Sequence, residues 1–246
     1  MFTDSLHRDF PPQPLRLVGS VQERSANSFA CGSSRAEATL AALHADGAGW
    51  PGRWMALREL LGSLLRPAAP ACAACPYRPI SAQCGALLYQ LARLGDARLA
   101  VALGAGDAAA TIWLACAMRA NQRHAGDRGI ITCEPAHEVA QLARCRLRAA
   151  GVSRYVDLRE GQPEQALARI DQPVDCLLFN GYPGLMLAVL RQLQARLRQG
   201  AVVIALRPCG DRRSYSDYLR YVRDPQGGFT SIALPYREDI ELSVRR

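Results

Sequence analysis

The stretch that most constrains the fold is residues 97–151, where apolar runs alternate with helical patterns around a glycine turn. An apolar run at 99–103 leads into the turn Gly104-Ala105-Gly106-Asp107-Ala108, and a helical pattern over 109–121 follows. That pattern returns apolar side chains to one side of the helix, so the helix should pack against a sheet. The segment therefore predicts the first half of a strand–helix–strand unit.

The second half of the unit is an apolar run at 129–133 that ends on Glu134. Pro135 opens another helix, and Gly151 closes it as a cap. The order strand, glycine turn, helix, strand, acid is typical of a nucleotide-binding βαβ unit.

The turn and the acid are the candidate cofactor-binding residues. Gly104 and Gly106 let the backbone approach a ligand closely, and Glu134 could accept hydrogen bonds from two ribose hydroxyls. Two plainer interpretations stay open. The glycines could simply form a tight strand-to-helix turn, and Glu134 could be a solvated acid at a helix N-terminus.

Charge excludes several classes of function. The net charge is +8, and all 30 basic residues counted as Lys or Arg are arginine, which excludes a Schiff-base lysine and a P-loop lysine. The arginines are scattered over predicted helices, which favours solvated helix surfaces over a nucleic-acid footprint. The sequence has neither a signal-peptide pattern nor an apolar run long enough to cross a membrane, so we expect a cytoplasmic protein with no membrane contact.

The nine cysteines are expected to be mostly reduced in that compartment. Cys116, Cys145 and Cys176 fall at apolar positions of predicted elements and should be small core residues. Cys72, Cys75 and Cys84 contain a CxxC pair, but the fourth ligand that a zinc site needs is missing, which disfavours a metal site there and leaves the question open.

The rest of the chain divides into three parts: an arm at 1–34, helices and a linker at 35–80, and an α/β domain at 81–246. The further predicted elements are helices at 35–44, 53–65, 82–94, 163–170, 185–198 and 214–223, and strands at 152–158, 174–179, 201–206, 229–234 and 240–245. Repeated βα alternation requires a mainly parallel sheet with helices on both faces. The last two strands are close enough in sequence to form a hairpin.

Motifs from about residue 80 onward carry a family resemblance; they lie at 85–89, 147–152, 158–161, 197–203 and 218–245. Together they resemble class I S-adenosylmethionine (SAM)-dependent methyltransferases, in particular the caffeoyl-CoA and catechol O-methyltransferase-like family. The resemblance implies a Rossmann-like, doubly wound, seven-stranded sheet in the order 3-2-1-4-5-7-6, with SAM as cofactor. It also implies a dimer, either a homodimer or a heterodimer with a homologue.

The cofactor positions depart from the family pattern. Ala102 stands where the family has an acid, and Ala108 replaces the third glycine of the turn. Gln162 stands where the family usually has an aspartate beside the adenine, and it could still hydrogen-bond an amide-like edge. By resemblance, Gly104, Gly106, Glu134 and Gln162 would hold SAM.

The positions that correspond to the family's metal ligands depart further from the family pattern. Catechol-type members bind a divalent cation, and the corresponding residues here are Asn180, Leu206 and Arg207, which cannot supply the carboxylate oxygens that such cations prefer. The family's lysine base would fall near Pro183. We therefore expect no metal, with Asn180 and Arg207 as candidate catalytic residues. Asn180 could instead only shape an Asn-Gly turn, and Arg207 could form a structural ion pair.

Three hypotheses follow from this sequence. The first is a SAM-dependent O-methyltransferase that acts without a metal on a small-molecule hydroxyl. The second is a catalytically inactive pseudo-methyltransferase that serves as a scaffold or partner subunit, because the losses fall at ligand-facing positions. The third and weakest is an NAD(P) oxidoreductase, which the terminal hairpin does not fit.

Overall fold

The computed structural model describes residues 33–45, 80–122, 129–206, 211–236 and 239–246. The predicted helix at 53–65, Cys72, Cys75, most of the 1–34 arm and Arg207 lie outside these residues. The helices are α1 Ser34–Ala45, α2 Ala82–Leu94, α3 Ala109–Asn121, α4 His137–Ala149, α5 Pro163–Ala166, α6 Pro183–Leu193 and α7 Arg212–Arg223. The strands are β1 Ala100–Leu103, β2 Ile130–Glu134, β3 Val156–Glu160, β4 Val174–Phe179, β5 Leu197–Leu206, β6 Phe229–Leu234 and β7 Ile240–Arg245.

The strands form one seven-stranded sheet in the order β3-β2-β1-β4-β5-β7-β6, as predicted. The pairs among β1 to β5 are parallel, while β7 runs antiparallel to both β5 and β6. Because parallel strands all end at the same edge, the ends of β1, β2, β3 and β4 lie side by side there. That edge carries the predicted site.

Alternate residues of the strands separate two apolar cores, one on each face of the sheet. Ala100 and Ala102 of β1 pack into the core that contains α1, α2 and α3. Val101 and Leu103 pack into the opposite core with α6 and α7. All four side chains are fully buried, so β1 reads as a continuous apolar run, as expected for a central parallel strand.

The amino end of β1 is fixed by Asp175 of β4. One carboxylate oxygen accepts hydrogen bonds from the backbone N–H groups of Arg98, at 2.7 Å, and Leu99, at 2.8 Å. The other oxygen accepts from the guanidinium of Arg198 on β5. Asp175 thus joins the starts of three neighbouring strands at the edge opposite the site.

The structure shortens or shifts several predicted elements. The segment predicted as a strand at 152–158 begins with a 3₁₀ turn at Ser153–Tyr155, which buries Tyr155, and the strand runs from Val156 to Glu160. The helix predicted at 163–170 ends at Ala166, although Leu167 and Ile170 are buried without it.

The helix predicted at 185–198 is also wrong at both ends, since α6 begins at Pro183 and ends at Leu193. Residues 197–200 belong instead to β5, where Leu197 pairs with Val174.

The described cysteines are free, and they match the prediction with one exception. Cys116 and Cys176 are buried as predicted, and Cys84 is also buried, inside α2. Cys145 is exposed, because it lies on the solvent side of the amphipathic helix α4, so its prediction as a core residue is wrong. Among the described helices, the longest have 13 residues, and none has the length and apolar character needed to cross a membrane.

Candidate functional site at the carboxyl edge of the sheet

The glycine turn after β1 has the backbone shape expected of a ligand-binding turn. Gly104 has φ of 90° and Gly106 has φ of 52°, both in the region that glycine adopts without strain. Ala108 has φ of 68°, so the alanine that replaces the third glycine still takes the left-handed conformation. Residue 108 therefore has a backbone conformation that glycine would adopt without strain, although it is an alanine here.

Glu134 is fully buried at the end of β2, beside this turn. One carboxylate oxygen, Oε2, accepts hydrogen bonds from the backbone N–H groups of Ala105, at 3.0 Å, and Gly106, at 3.4 Å. The other, Oε1, accepts from the N–H of Ala136, at 3.1 Å. The interpretation of Glu134 as a solvated acid is therefore wrong.

A fourth hydrogen bond reaches Glu134 from Tyr182. The Tyr182 hydroxyl donates to Oε1 of Glu134 over 2.5 Å, and Tyr182 is only 7% exposed. Tyr182 follows β4, whereas Glu134 ends β2, and β1 lies between these two strands. The phenol side chain therefore lies across the carboxyl end of β1, next to the glycine turn.

Gln162 lies at the same edge, one strand further out. The N–H of Gly161 donates to the carbonyl of Glu134 at 3.1 Å, which ties the segment after β3 to the end of β2. Gln162 is exposed and precedes α5, and its side chain makes no hydrogen bond to a described residue. Its amide is thus accessible to a ligand.

Asn180 directly follows β4, on the other side of the glycine turn. Its backbone N–H donates to the carbonyl of Leu103 at 2.9 Å, which aligns the ends of β4 and β1. The residue is 5% exposed, and its side-chain amide makes no hydrogen bond to any described residue. A nearly buried amide without a partner is a group that a ligand could satisfy.

Other residues near the turn are less suited to catalysis or to ligand binding. Burial, with a smaller contribution from the Glu134 charge, raises the pKa of the Cys133 thiol to about 12, so this thiol stays protonated at neutral pH. Ala102 is fully buried among apolar side chains. Within the described residues no group of three or more His, Cys, Asp or Glu side chains is arranged to hold a metal ion.

The turn also contains a carboxylate, Asp107. Its Oδ1 accepts from the N–H of Ala109 at 3.0 Å, at the start of α3. Burial raises the pKa of Asp107, and the hydrogen bond and the nearby Arg146 only partly offset this effect.

The structure brings five of the six predicted site residues to one edge: Gly104, Gly106, Glu134, Gln162 and Asn180. Arg207, the sixth, lies outside the described residues. Sequence reasoning missed Tyr182 and Asp107. The signal for Tyr182 was its place directly after Asn180-Gly181, where a strand ends at the ligand-binding edge.

A separate cleft of about 480 Å³ opens between α7 and the β6–β7 hairpin. Its polar side chains are largely paired internally: Glu241 with Arg223, and Asp211 with Ser214 at the start of α7. In sheet order it is separated from Asn180 by β5, so we do not include it in the candidate site.

Comparisons with known proteins agree with this fold. Residues 101–205 match a family model described as a methyltransferase domain. A comparison with curated protein sequences found no match.

The structure is similar to several solved structures, among them O-methyltransferases. Cofactor-bound Rv0187 from MTB is 22% identical with a TM-score of 0.61, over 77% of this chain and 96% of that one. An O-methyltransferase from Bacillus cereus in complex with SAH is 20% identical with a TM-score of 0.60, over 79% and 99%. The O-methyltransferase TomG from Streptomyces achromogenes, involved in tomaymycin synthesis and solved with SAM, is 22% identical with a TM-score of 0.57, over 80% and 98%.

At these identities the similarity to solved structures shows the fold, while the family model adds a match at the level of sequence. The predicted resemblance is confirmed: the chain has the Rossmann-like fold of the class I SAM-dependent methyltransferases, and its residues 101–205 match the model of a methyltransferase domain.

Proposed function

We propose that this protein is a SAM-dependent O-methyltransferase-like protein that, when active, methylates a small-molecule hydroxyl without a metal ion. The observation that carries the proposal is the pairing of the glycine turn with a buried acid at the end of the neighbouring strand. Gly104 and Gly106 leave the turn free of side-chain bulk, and Glu134 lies within hydrogen-bond distance of its backbone.

The residues present fit SAM with one adjustment. Glu134 is the ribose partner, and Gln162 offers an exposed amide to the adenine edge. Ala102 provides no charge for the ammonium of the methionine portion, and Asp107 is the one carboxylate within the turn itself. The adjustment is that Glu134 must release one hydrogen bond before it can accept one from a ribose, because its oxygens already accept four from described residues.

When bound, SAM supplies an electrophilic methyl group on a sulfonium sulfur. Gly104, Gly106 and Glu134 would hold SAM so that this methyl group is available to an acceptor oxygen, and the acceptor proton would pass to water. The Asn180 amide can orient the acceptor hydroxyl, but an amide does not take up a proton at neutral pH. An acceptor with an already acidic hydroxyl therefore suits this site, with positioning as the main source of acceleration.

Metal independence rests on the residues at the family's metal positions. Asn180 supplies a single amide oxygen, and Leu206 is a buried apolar residue paired with Ile240. Arg207, by sequence, adds a positive charge. Such a set does not favour a divalent cation, which prefers several carboxylate oxygens.

The second candidate is a catalytically inactive pseudo-methyltransferase that acts as a scaffold or partner subunit. Two observations favour it. Ala102 is sealed inside the core, and the Glu134 carboxylate is already saturated with internal donors. Both would weaken SAM binding while leaving the fold intact.

Isothermal titration with SAM and SAH separates the two candidates. Because Ala102 replaces an acid, the SAM ammonium loses a hydrogen bond to a charged group, which costs about 1.5–3 kcal/mol. The replacement of an aspartate by Gln162 adds ~1 kcal/mol. Together these correspond to roughly a hundredfold to a thousandfold in affinity. We therefore expect binding in the high micromolar to millimolar range.

The matched variants are Glu134→Gln, which removes the charge from the site, and Glu138→Gln, which removes one from the exposed first turn of α4. We expect Glu134→Gln to weaken SAH binding at least about tenfold and Glu138→Gln to leave it unchanged. No binding to the folded wild-type protein at millimolar SAM would overturn the enzyme proposal in favour of the scaffold.

A further inference from the structure

We propose that the Tyr182 hydroxyl is a built-in competitor for the cofactor: it occupies the position on Glu134 that the ribose would use, and cofactor loading exchanges one hydroxyl for the other. This inference rests on the proposed function. It adds a residue that controls occupancy of the site and that contributes no bond to the ligand.

The Glu134 carboxylate has a limited number of positions that can accept a hydrogen bond. A carboxylate has about four lone-pair positions. From the described residues Glu134 accepts four hydrogen bonds, two on each oxygen, donated by Ala105, Gly106, Ala136 and Tyr182. A ribose hydroxyl can therefore bind this carboxylate only if one of these donors leaves.

Only one of the four donors can leave without rebuilding the fold. Ala105 and Gly106 donate through the backbone of the turn that joins β1 to α3, and Ala136 donates through the backbone directly before α4. Tyr182 donates through a side-chain hydroxyl, which rotation of its side chain can withdraw. The exchange therefore falls on Tyr182.

The backbone at Tyr182 is consistent with a strained, releasable contact. Tyr182 has φ of 55° and ψ of 58°, a left-handed conformation that is strained for a residue with a Cβ. It lies between Gly181 and Pro183, the first residue of α6. The hydrogen bond to a buried carboxylate helps to hold this conformation, and a ligand that satisfies Glu134 would remove that restraint.

The position of Tyr182 is also the one that a cofactor needs. Its side chain reaches from the end of β4 to the end of β2, across the end of β1. In open α/β sheets ligands bind outside these carboxyl ends. The Tyr182 hydroxyl and a ligand held by the glycine turn therefore compete for the same acceptor on Glu134.

The test is Tyr182→Phe, measured by isothermal titration with SAH and by thermal unfolding with and without SAH. Removal of the hydroxyl removes the competitor and keeps the ring, so we expect SAH to bind about tenfold more tightly than to the wild type. We also expect the ligand-free variant to unfold at a lower temperature and to show a larger SAH-induced rise in Tm.

The matched control is Tyr221→Phe. It removes a partly buried hydrogen bond from the Tyr221 hydroxyl to Gln194, remote from the glycine turn. It should lower stability without changing SAH affinity. Tyr182→Leu is a second variant without the hydroxyl, in case the phenylalanine does not fold.

Three outcomes are decisive. Tighter SAH binding to a Tyr182 variant, or binding by that variant alone, supports the proposal. Wild-type binding that the variants match or weaken overturns the competitor role and leaves the proposed function standing. Failure of both folded proteins to bind at millimolar SAH overturns the proposed function and this inference with it.

Discussion

Gly85 in α2 is a position where helix propensity and tertiary packing predict opposite effects of the same substitution. Glycine inside a helix is about 1 kcal/mol less favourable than alanine, so Gly85→Ala should stabilise an isolated helix. In the folded protein a Cβ on Gly85 would lie 2.1 Å from Nε1 and 2.3 Å from Cδ1 of Trp113 on α3. Trp113 is 5% exposed and has little room to move.

The magnitude follows from three contributions. Overpacking of a core costs about 1–3 kcal/mol, and this close overlap favours the upper end. Displacement of the indole would also weaken the hydrogen bond from Trp113 Nε1 to His44 Nε2, at 3.2 Å, which costs about 1 kcal/mol. After subtracting the gain in helix propensity, Gly85→Ala should lower the free energy of unfolding by about 3 kcal/mol, or lower Tm by roughly 6–12 °C.

The assay is urea unfolding followed by circular dichroism, with Gly184→Ala as the matched control. Gly184 lies in the first turn of α6, is exposed, and would place a Cβ with nothing within 4 Å. The control should be neutral or stabilising by up to about 1 kcal/mol.

The steric origin can be tested in a Trp113→Leu background, where most of the Gly85→Ala penalty should disappear as a coupling between the two sites. A Gly85→Ala protein as stable as the wild type would refute the packing argument.

Three further predictions concern acid stability, metal dependence and assembly. Burial tends to raise the pKa of Glu241, but hydrogen bonds from Arg223 and Ser231 outweigh it and hold this pKa below its usual 4.5. The stabilisation is therefore present above about pH 4.5 and lost as pH falls further, so acid unfolding should be less steep in Glu241→Gln, and an unchanged pH profile would contradict this. If methyl transfer is detected, EDTA should leave its rate unchanged, and restoration of activity by Mg²⁺ would count against the metal-free proposal. Light scattering at tens of micromolar should give a dimer mass, and a monomer would exclude the homodimer.

Local sequence signals were sufficient for many elements of the fold. Ser81 accepts a hydrogen bond from the N–H of Cys84 and caps α2, and Gly95 ends that helix, both as predicted from residue type. The bounds of β6 and β7 also match the prediction, because short alternating segments on either side of a tight turn favour a hairpin. These signals act over a few residues, so they can be read along the chain.

Strand pairing decided the conformation of the segment around Leu197. Its spacing from Leu193 continues the helical pattern of α6, and the sequence therefore predicted helix through residue 198. In the structure Leu197 pairs with Val174, and the chain enters β5 there. The burial and hydrogen bonds gained in the sheet outweigh a local helical preference.

The sequence by itself determined the glycine turn, the acid and their placement at one edge, because β1, the turn and β2 belong to one continuous stretch of chain. It did not determine what Glu134 contacts. Tyr182 lies 48 residues from Glu134, and the two meet only because strand order places β4 and β2 on either side of β1. Ala108 likewise keeps a left-handed turn that its residue type disfavours, since the turn is held at both ends by β1 and α3. Residue types thus determined which residues are candidates for binding a ligand, whereas strand order and burial decided which acceptor positions of Glu134 are already filled.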